Sequence, residues 1–329
     1  MKLLTKAHSS QRRLIEILRV IDEADKPIGA RAISDLLSER GYEIGERAVR
    51  YNLKILDELG FTKKHGYTGR ALTHLGMREL SDALVNERIG FVNAHIEEYM
   101  YRTTFDPATS SGDVVVNASL LSKNDFEQAF DILREVFDAG YAVSRRVMVL
   151  DEGDSTLMEV PAGCICLATI CSITMDGILL KAGVPVNTSF AGVAMVRGRE
   201  ILQFTDLIAY AGSSLDPIKA FMSRRIARVS DALRGGTGTV LANVREIPIS
   251  SSELAQETIQ RARQAGIGGL VHMGESGITT FGCPVGAGKI GIAICAGVNG
   301  PVAVEEAGIQ IKTLPISAML DYSKMQEVL

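Results

Sequence analysis

The chain has 329 residues, 46% of them apolar and 22% charged, with 35 Lys and Arg against 39 Asp and Glu. That length is ample for two or three domains with buried cores, and the composition excludes a largely disordered protein. No run approaches the roughly 20 apolar residues of a bilayer crossing.

The first residues (MKLLTKAHSSQRR) lack the apolar core of a secretion signal. Five cysteines, an odd number, fit reduced thiols better than a disulfide framework. These features predict a cytoplasmic protein with no membrane partner. Charge is unevenly divided. Residues 1–75 hold 14 cations and 10 carboxylates, whereas the remainder holds 21 and 29. A small basic module on a larger acidic body points to a polyanion partner for the module alone.

In chain order, Leu14, Ile17, Leu18 and Ile21 recur at i, i+3, i+4, i+7 and predict an amphipathic helix over 11–24, closed by Lys26-Pro27. A second helix is predicted over 30–40, with Ile33, Leu36 and Leu37 inward and Gly41 at its end. The third, over 46–59, buries Val49, Leu53 and Leu56. Phe61-Thr-Lys-Lys and Arg70-Ala-Leu-Thr then flank a glycine-tipped turn, a two-stranded hairpin. Three short helices and a hairpin make the order of a winged helix-turn-helix domain, assigned to residues 1–75.

On the third helix Arg47, Arg50 and Lys54 face away from the apolar positions, with Tyr51 beside them. Their donors suit guanine edges or phosphates. In the wing Lys63, Lys64, His65, Tyr67 and Arg70 cluster within eight residues, suited to phosphate or minor-groove contact. These nine residues are the candidate DNA contacts, and double-stranded DNA is the expected partner. The plain alternative for any one of them is a solvated surface charge.

Leu75, Leu80, Leu84, Ile89, Val92, Ile96 and Met100 recur at near-helical spacing, so residues 76–112 read as a helical connector, bounded by the polar stretch 106–113. From residue 113 the chain repeats itself. A strand, a helix ending in Ala139-Gly140, a strand, a buried run holding Cys171, then Gly177 and Ala182-Gly-Val are followed by a second such series. That series has Ala265-Gly266, Cys295, Gly300 and Ala307-Gly-Ile. The expected fold is α/β: a winged helix followed by an internally duplicated α/β domain over 113–329, with halves of about 113–235 and 236–329 and a cleft between them.

Motifs of catalysis and metal binding fail on spacing. Gly286-Ala-Gly-Lys-Ile-Gly291 matches G-x-G-x-x-G in form, yet a strand-like run follows where a helix N-terminus should receive phosphate. Cys164, Cys166 and Cys171 lack paired C-x-x-C spacing, and no paired carboxylates stand out. The reading is a non-enzyme with no catalytic residues, no metal and no cofactor. The competing reading is a small-molecule-binding protein or metabolic enzyme whose winged helix serves only for oligomerisation.

Four groups of residues in the body carry a family resemblance: Thr169-Ile-Cys-Ser-Ile-Thr174 with Gly177, Phe204-Thr-Asp206 with Asp216-Pro217, Arg245-Glu-Ile-Pro248, and Asn299-Gly-Pro-Val-Ala303 with Glu306-Ala-Gly308. Through them the chain resembles the NrpR family, archaeal repressors of nitrogen-assimilation genes, over nearly its whole length. The resemblance implies a homodimer or larger assembly on a palindromic operator, released when 2-oxoglutarate binds the regulatory domain. It also implies one regulatory domain here against two in some relatives, so the copy acts alone or with a second NrpR subunit.

A dicarboxylate effector needs cations, hydroxyls and backbone amides in a concave site. Thr169, Cys171, Ser172 and Thr174 at the end of the buried run, with Lys181 and Arg245, are the candidate effector residues. Each has a structural alternative: hydroxyls satisfy local backbone groups, and Arg245 can pair with a carboxylate of the protein itself.

Overall fold

A computed structural model describes residues 8–24, 26–80 and 91–328. The chain divides into two compact units, Met1–Ile89 and Gly90–Leu329. In the first, α1 (His8–Asp22), α2 (Ala30–Glu39) and α3 (Glu46–Glu58) precede a hairpin of β1 (Thr62–His65) and β2 (Gly69–Leu72). The apolar spacing seen in the sequence becomes one core: Leu14, Ile17, Leu18, Ile33, Leu37, Val49, Leu53 and Leu56 are all fully buried. The helix ends fall one or two residues short of the sequence expectation, where Arg40 and Leu59 act as caps.

A third segment joins the hairpin. The Ile28 and Arg70 backbones exchange two hydrogen bonds of 3.0 and 2.9 Å. Gly69 is required there, since a Cβ would lie 2.2 Å from the Ile28 carbonyl and φ is +141°.

The second unit opens with α4 (Phe91–Arg102), which buries Val92, Ile96, Tyr99 and Met100 in the body's core. The Tyr99 hydroxyl donates to the Ser317 carbonyl at 3.2 Å. Residues 91–112 are therefore part of the body rather than of a connector: apolar periodicity marks a buried helix face without saying what covers it. Of the positions predicted for that connector, Leu84 and Ile89 lie outside the described residues.

The duplication is explicit. The first half runs β3 (Asp113–Ser122), α5 (Phe126–Ala139), β4 (Arg146–Leu150), β5 (Cys164–Ile170), α6 (Ile173–Lys181), β6 (Asn187–Arg197). It is followed by β7 (Glu200–Ala209), α7 (Pro217–Arg224) and α8 (Val229–Leu233). The second half repeats the series as β8 (Thr237–Pro248), α9 (Ser252–Gln264), β9 (Val271–Met273), β10 (Lys289–Cys295), α10 (Asn299–Glu306) and β11 (Ile311–Asp321), and closes on β12 (Gln326–Glu327).

Both Ala-Gly pairs terminate helices in the same way. The Gly140 and Gly266 N–H groups reach back three residues, the Tyr141 and Ile267 N–H groups five, and both glycines have φ above +80°.

The two sheets have the orders β7-β6-β8-β10-β9 and β11-β3-β5-β4-β12, and every pairing is antiparallel. Each half lends strands to the other's sheet: β6, with β7 beside it, pairs with β8, and β11 pairs with β3. This reciprocal exchange ties the halves together.

Hydrogen bonds also fix the true internal register. Cys171 N–H and Ala296 N–H donate to the Val115 and Leu241 carbonyls, each at 2.8 Å. Thr174 brackets the Val115 backbone as Asn299 brackets that of Leu241. Cys171 thus corresponds to Ala296, not Cys295, and Gly177 does not correspond to Gly300, a correction of the marks used to align the halves. The two glycines have separate causes, since a Cβ would strike Thr103 at Gly177 and Leu133 at Gly300.

Candidate functional site

The winged module presents its cations as the sequence predicts. Arg47, Arg50, Tyr51 and Lys54 are exposed on α3 opposite Val49, Leu53 and Leu56, and Tyr51 is 67% exposed. Lys63, Lys64, His65 and Tyr67 are exposed along the wing, with Tyr67 fully in solvent. Arg70 is placed differently. Its Nε lies 2.9 and 3.1 Å from the two carboxylate oxygens of Asp57 at the end of α3, half-buried. Thr62 donates to the same carboxylate at 2.6 Å. Through its pair with Asp57, Arg70 holds the wing against α3. Its part in any interface is to position the hairpin.

In the body, the duplicated loops after β5 and β10 meet beside two equivalent asparagines, Asn117 on β3 and Asn243 on β8. The Thr169 hydroxyl donates to the Gly297 carbonyl at 3.1 Å. Asn117 accepts from the Ile316 N–H at 3.2 Å, and Asn243 accepts from the Tyr210 hydroxyl at 2.9 Å. Gly297 has no room for a side chain, as a Cβ would sit 2.0 Å from the Ile170 carbonyl oxygen. Between these elements lies a narrow crevice of about 20 Å³, room for about one water molecule, whose polar lining comes from Asn117, Cys171, Ser172, Tyr210, Asp216 and Asn243. Burial raises the Asp216 carboxyl above its usual value, against backbone N–H donors of Ile218 and Lys219 that pull it down. Burial also pushes the Cys171 thiol up to about 12 and the Tyr210 hydroxyl well above its ordinary value.

One layer behind Ser172 is a fully buried ion pair. Arg245 Nε lies 2.6 Å from Asp176 Oδ1, and its Nη2 donates to Ser172 Oγ at 2.9 Å. Thr188 donates to the other Asp176 oxygen at 3.3 Å. Arg245 Nη1 is buried with no hydrogen-bond partner. This side is not repeated across the duplication: the β3 position matching Arg245 is Ser119, and that matching Asp176 is Pro301.

Of the predicted effector residues, Cys171 and Ser172 line the cleft, Thr169 borders it through Gly297, and Arg245 stands behind it. Thr174 does not take part. Its hydroxyl is consumed by the Val115 N–H and carbonyl, at 2.9 and 3.1 Å. Lys181 is elsewhere, exposed with its Nζ 4.7 Å above the Tyr101 ring. Asn117, Tyr210, Asp216 and Asn243 were not singled out as effector residues, and neither was Asp176. A lone carboxylate inside the apolar helix Ile173–Lys181 was the available signal for Asp176, since such a group requires a buried cation. Among the described residues no group of three His, Cys, Asp or Glu side chains is placed to hold a metal ion, and no helix is long and apolar enough to cross a membrane.

A winged helix with an exposed basic face, followed by a strand-exchanged double domain around a polar crevice, defines a two-part chain. Residues 89–327 match the family model of NrpR regulatory domains NRD1 and 2, and residues 15–80 match that of the ribonuclease R winged-helix domain. A global nitrogen regulator NrpRI from Methanosarcina mazei is 50% identical over 97% of this chain and 98% of its own length. Global nitrogen regulators NrpR from Methanococcus maripaludis and Methanocaldococcus jannaschii are 32% and 31% identical, and the chain spans 55% of the length of each. The crystal structure of a nitrogen repressor-like protein from Methanococcus jannaschii superimposes with a TM-score of 0.61 at 26% identity, covering 72% of this chain and 97% of that one. The chain belongs to the NrpR family.

Proposed function

We propose that this chain is a DNA-binding repressor of nitrogen-assimilation genes that leaves its operator when 2-oxoglutarate enters the cleft of the body. The observation that carries the reading is the end-to-end likeness to a global nitrogen regulator, 50% identical over 97% of the chain. The geometry supports each part. The exposed donors of Arg47, Arg50 and Lys54, with the wing cations, suit a duplex as a homodimer or larger assembly would engage two half-sites. For a dicarboxylate the crevice must widen; it then offers the Asn117 amide and the Ser172 hydroxyl, while the Tyr210 hydroxyl and the Asn243 amide become donors only by giving up their bonds to Asn243 and Ser172. Arg245, its charge balanced by Asp176, donates to Ser172 Oγ and so leaves the Ser172 proton free to be given to a carboxylate.

Release requires that 2-oxoglutarate bind the arrangement incompetent for DNA more tightly than the competent one. The test is a gel shift on duplexes from upstream of nitrogen-assimilation genes, with and without 2-oxoglutarate and with succinate as a control. Loss of the shifted band with 2-oxoglutarate alone is expected. Unchanged operator affinity at saturating 2-oxoglutarate refutes the effector assignment, and no shift of any duplex refutes the DNA-binding one.

A further inference from the structure

The module as a whole is basic, yet α3 is not. Its cations Arg47, Arg50 and Lys54 are matched by Glu46, Asp57 and Glu58. Asp57 is engaged by the wing through Arg70 and Thr62. The other two carboxylates stand on the exposed face itself, one turn from a cation each. Glu58 Oε1 is 4.0 Å from Lys54 Nζ, a loose contact. Glu46 is closer and directional: its Oε1 accepts from Arg50 Nε at 3.0 Å and from Arg50 Nη2 at 2.6 Å.

Those two donors form one edge of the planar guanidinium. Holding that edge leaves the other fork, the outer N–H groups of Nη1 and Nη2, directed away from the helix. Such a fork matches the O6 and N7 acceptors of guanine. A phosphate is the competing partner for the same arginine, and a carboxylate beside it repels phosphate and occupies the edge a phosphate would take. Lys63 and Lys64 in the wing have no such neighbour: neither forms an ion pair among the described residues.

We infer that Glu46 is a specificity-determining residue: it fixes one edge of Arg50 so that the free fork reads a guanine, while phosphate attraction is left to the wing. This rests on the DNA-binding reading above. Glu46 is a positioning residue in this scheme, acting through Arg50.

The test uses the full chain and a duplex it selects from a randomised pool, compared with a random duplex of equal length, over a range of salt. Glu46→Ala is expected to tighten binding to the random duplex about 3–10-fold. Its log–log salt slope should steepen by about one, the signature of one more phosphate contact. The preference for the selected duplex is expected to fall about tenfold or more, the scale of one bidentate base contact. Glu46→Gln, which keeps an acceptor oxygen for the arginine edge without the charge, is expected to retain part of that preference.

Equal changes on both duplexes in Glu46→Ala would make Glu46 a bulk charge and overturn the inference. Identical behaviour of the Ala and Gln variants would do the same, since the held edge would then play no part. A wild-type chain that selects no duplex from the pool would sink the DNA-binding reading itself. That result is distinct, because it precedes any variant. Glu46 is half-exposed at the start of α3, and matching thermal unfolding of the three proteins guards against a folding effect.

Discussion

Removing the charge of Asp176 tests the buried pair on which the cleft is built. Asp176 and Arg245 are both inaccessible to solvent and 2.6 Å apart. The guanidinium cannot lose its proton in a protein, so Asp176→Asn leaves an uncompensated cation in the core. Breaking one side of a buried pair costs about 3–5 kcal/mol. For a unit the size of Gly90–Leu329, each kcal/mol lowers the melting temperature by about 2–4 °C, so the fall should be about 6–20 °C by calorimetry or circular dichroism.

The double variant Asp176→Leu with Arg245→Met removes both charges and is expected to recover most of that loss. It should nevertheless lose the response to 2-oxoglutarate, because the N–H that orients the Ser172 hydroxyl is gone. Burial pushes the Asp176 carboxyl up while Arg245 and Thr188 pull it down, and the outcome separates these. An Asn variant that melts within about 2 °C of wild type, a loss under about 1 kcal/mol, would mean the carboxyl already carries its proton. The ion pair would then be refuted.

Asp57→Ala should free the wing by removing the acceptor of Arg70 and Thr62, and so weaken duplex binding by anisotropy although a negative charge is removed; unchanged affinity would contradict the positioning role given to Arg70. Asp216 caps α7 through the Ile218 N–H, and Asn caps nearly as well, so Asp216→Asn should fold normally and bind 2-oxoglutarate more tightly by removing a negative charge from the cleft. The Asp216 carboxyl is raised, so lowering the pH from neutrality toward its range protonates it and should tighten binding by the wild type, with the Asn variant flat over the same range; parallel pH profiles in calorimetry would exclude Asp216. At pH 8 the half-buried Cys164 should be the first thiol labelled, with Cys171, Cys283 and Cys295, each pushed up to about 12 by burial, silent until unfolding; fast native labelling of Cys171 would contradict the closed geometry.

The parts of this protein that were legible in its sequence are those governed by local spacing. The apolar positions of α1 to α3, the glycine-tipped wing and the two Ala-Gly helix stops depend on residues three or four apart, and they stand where spacing puts them. The hairpin β6–β7 was missed. Asn187–Arg197 is buried on both faces for much of its length and shows no polar alternation, so it carries no period of two. The strand exchange was equally invisible, because register between β6 and β8 is set by pairs about 50 residues apart. In the cleft, Ser172 and Cys171 were found through a run of hydroxyls and thiols. Their partners Asn243, Tyr210 and Asp216 come from three other elements that only the tertiary fold brings together. Thr174 was misjudged for the same reason: a threonine near a helix start looks free in sequence, but its hydroxyl is spent on the backbone of Val115, 59 residues away on β3.

In the proposed function, DNA and 2-oxoglutarate compete through one protein. Linkage makes this measurable as a reciprocity: whatever factor 2-oxoglutarate takes from operator affinity, operator must take from 2-oxoglutarate affinity. Calorimetric titration of 2-oxoglutarate into the chain, free and saturated with operator, alongside operator binding with and without 2-oxoglutarate, should return one factor of about 5–150 in both directions. Equal 2-oxoglutarate affinities for the free and operator-bound chain would show that the two ligands are not coupled and refute the proposed release.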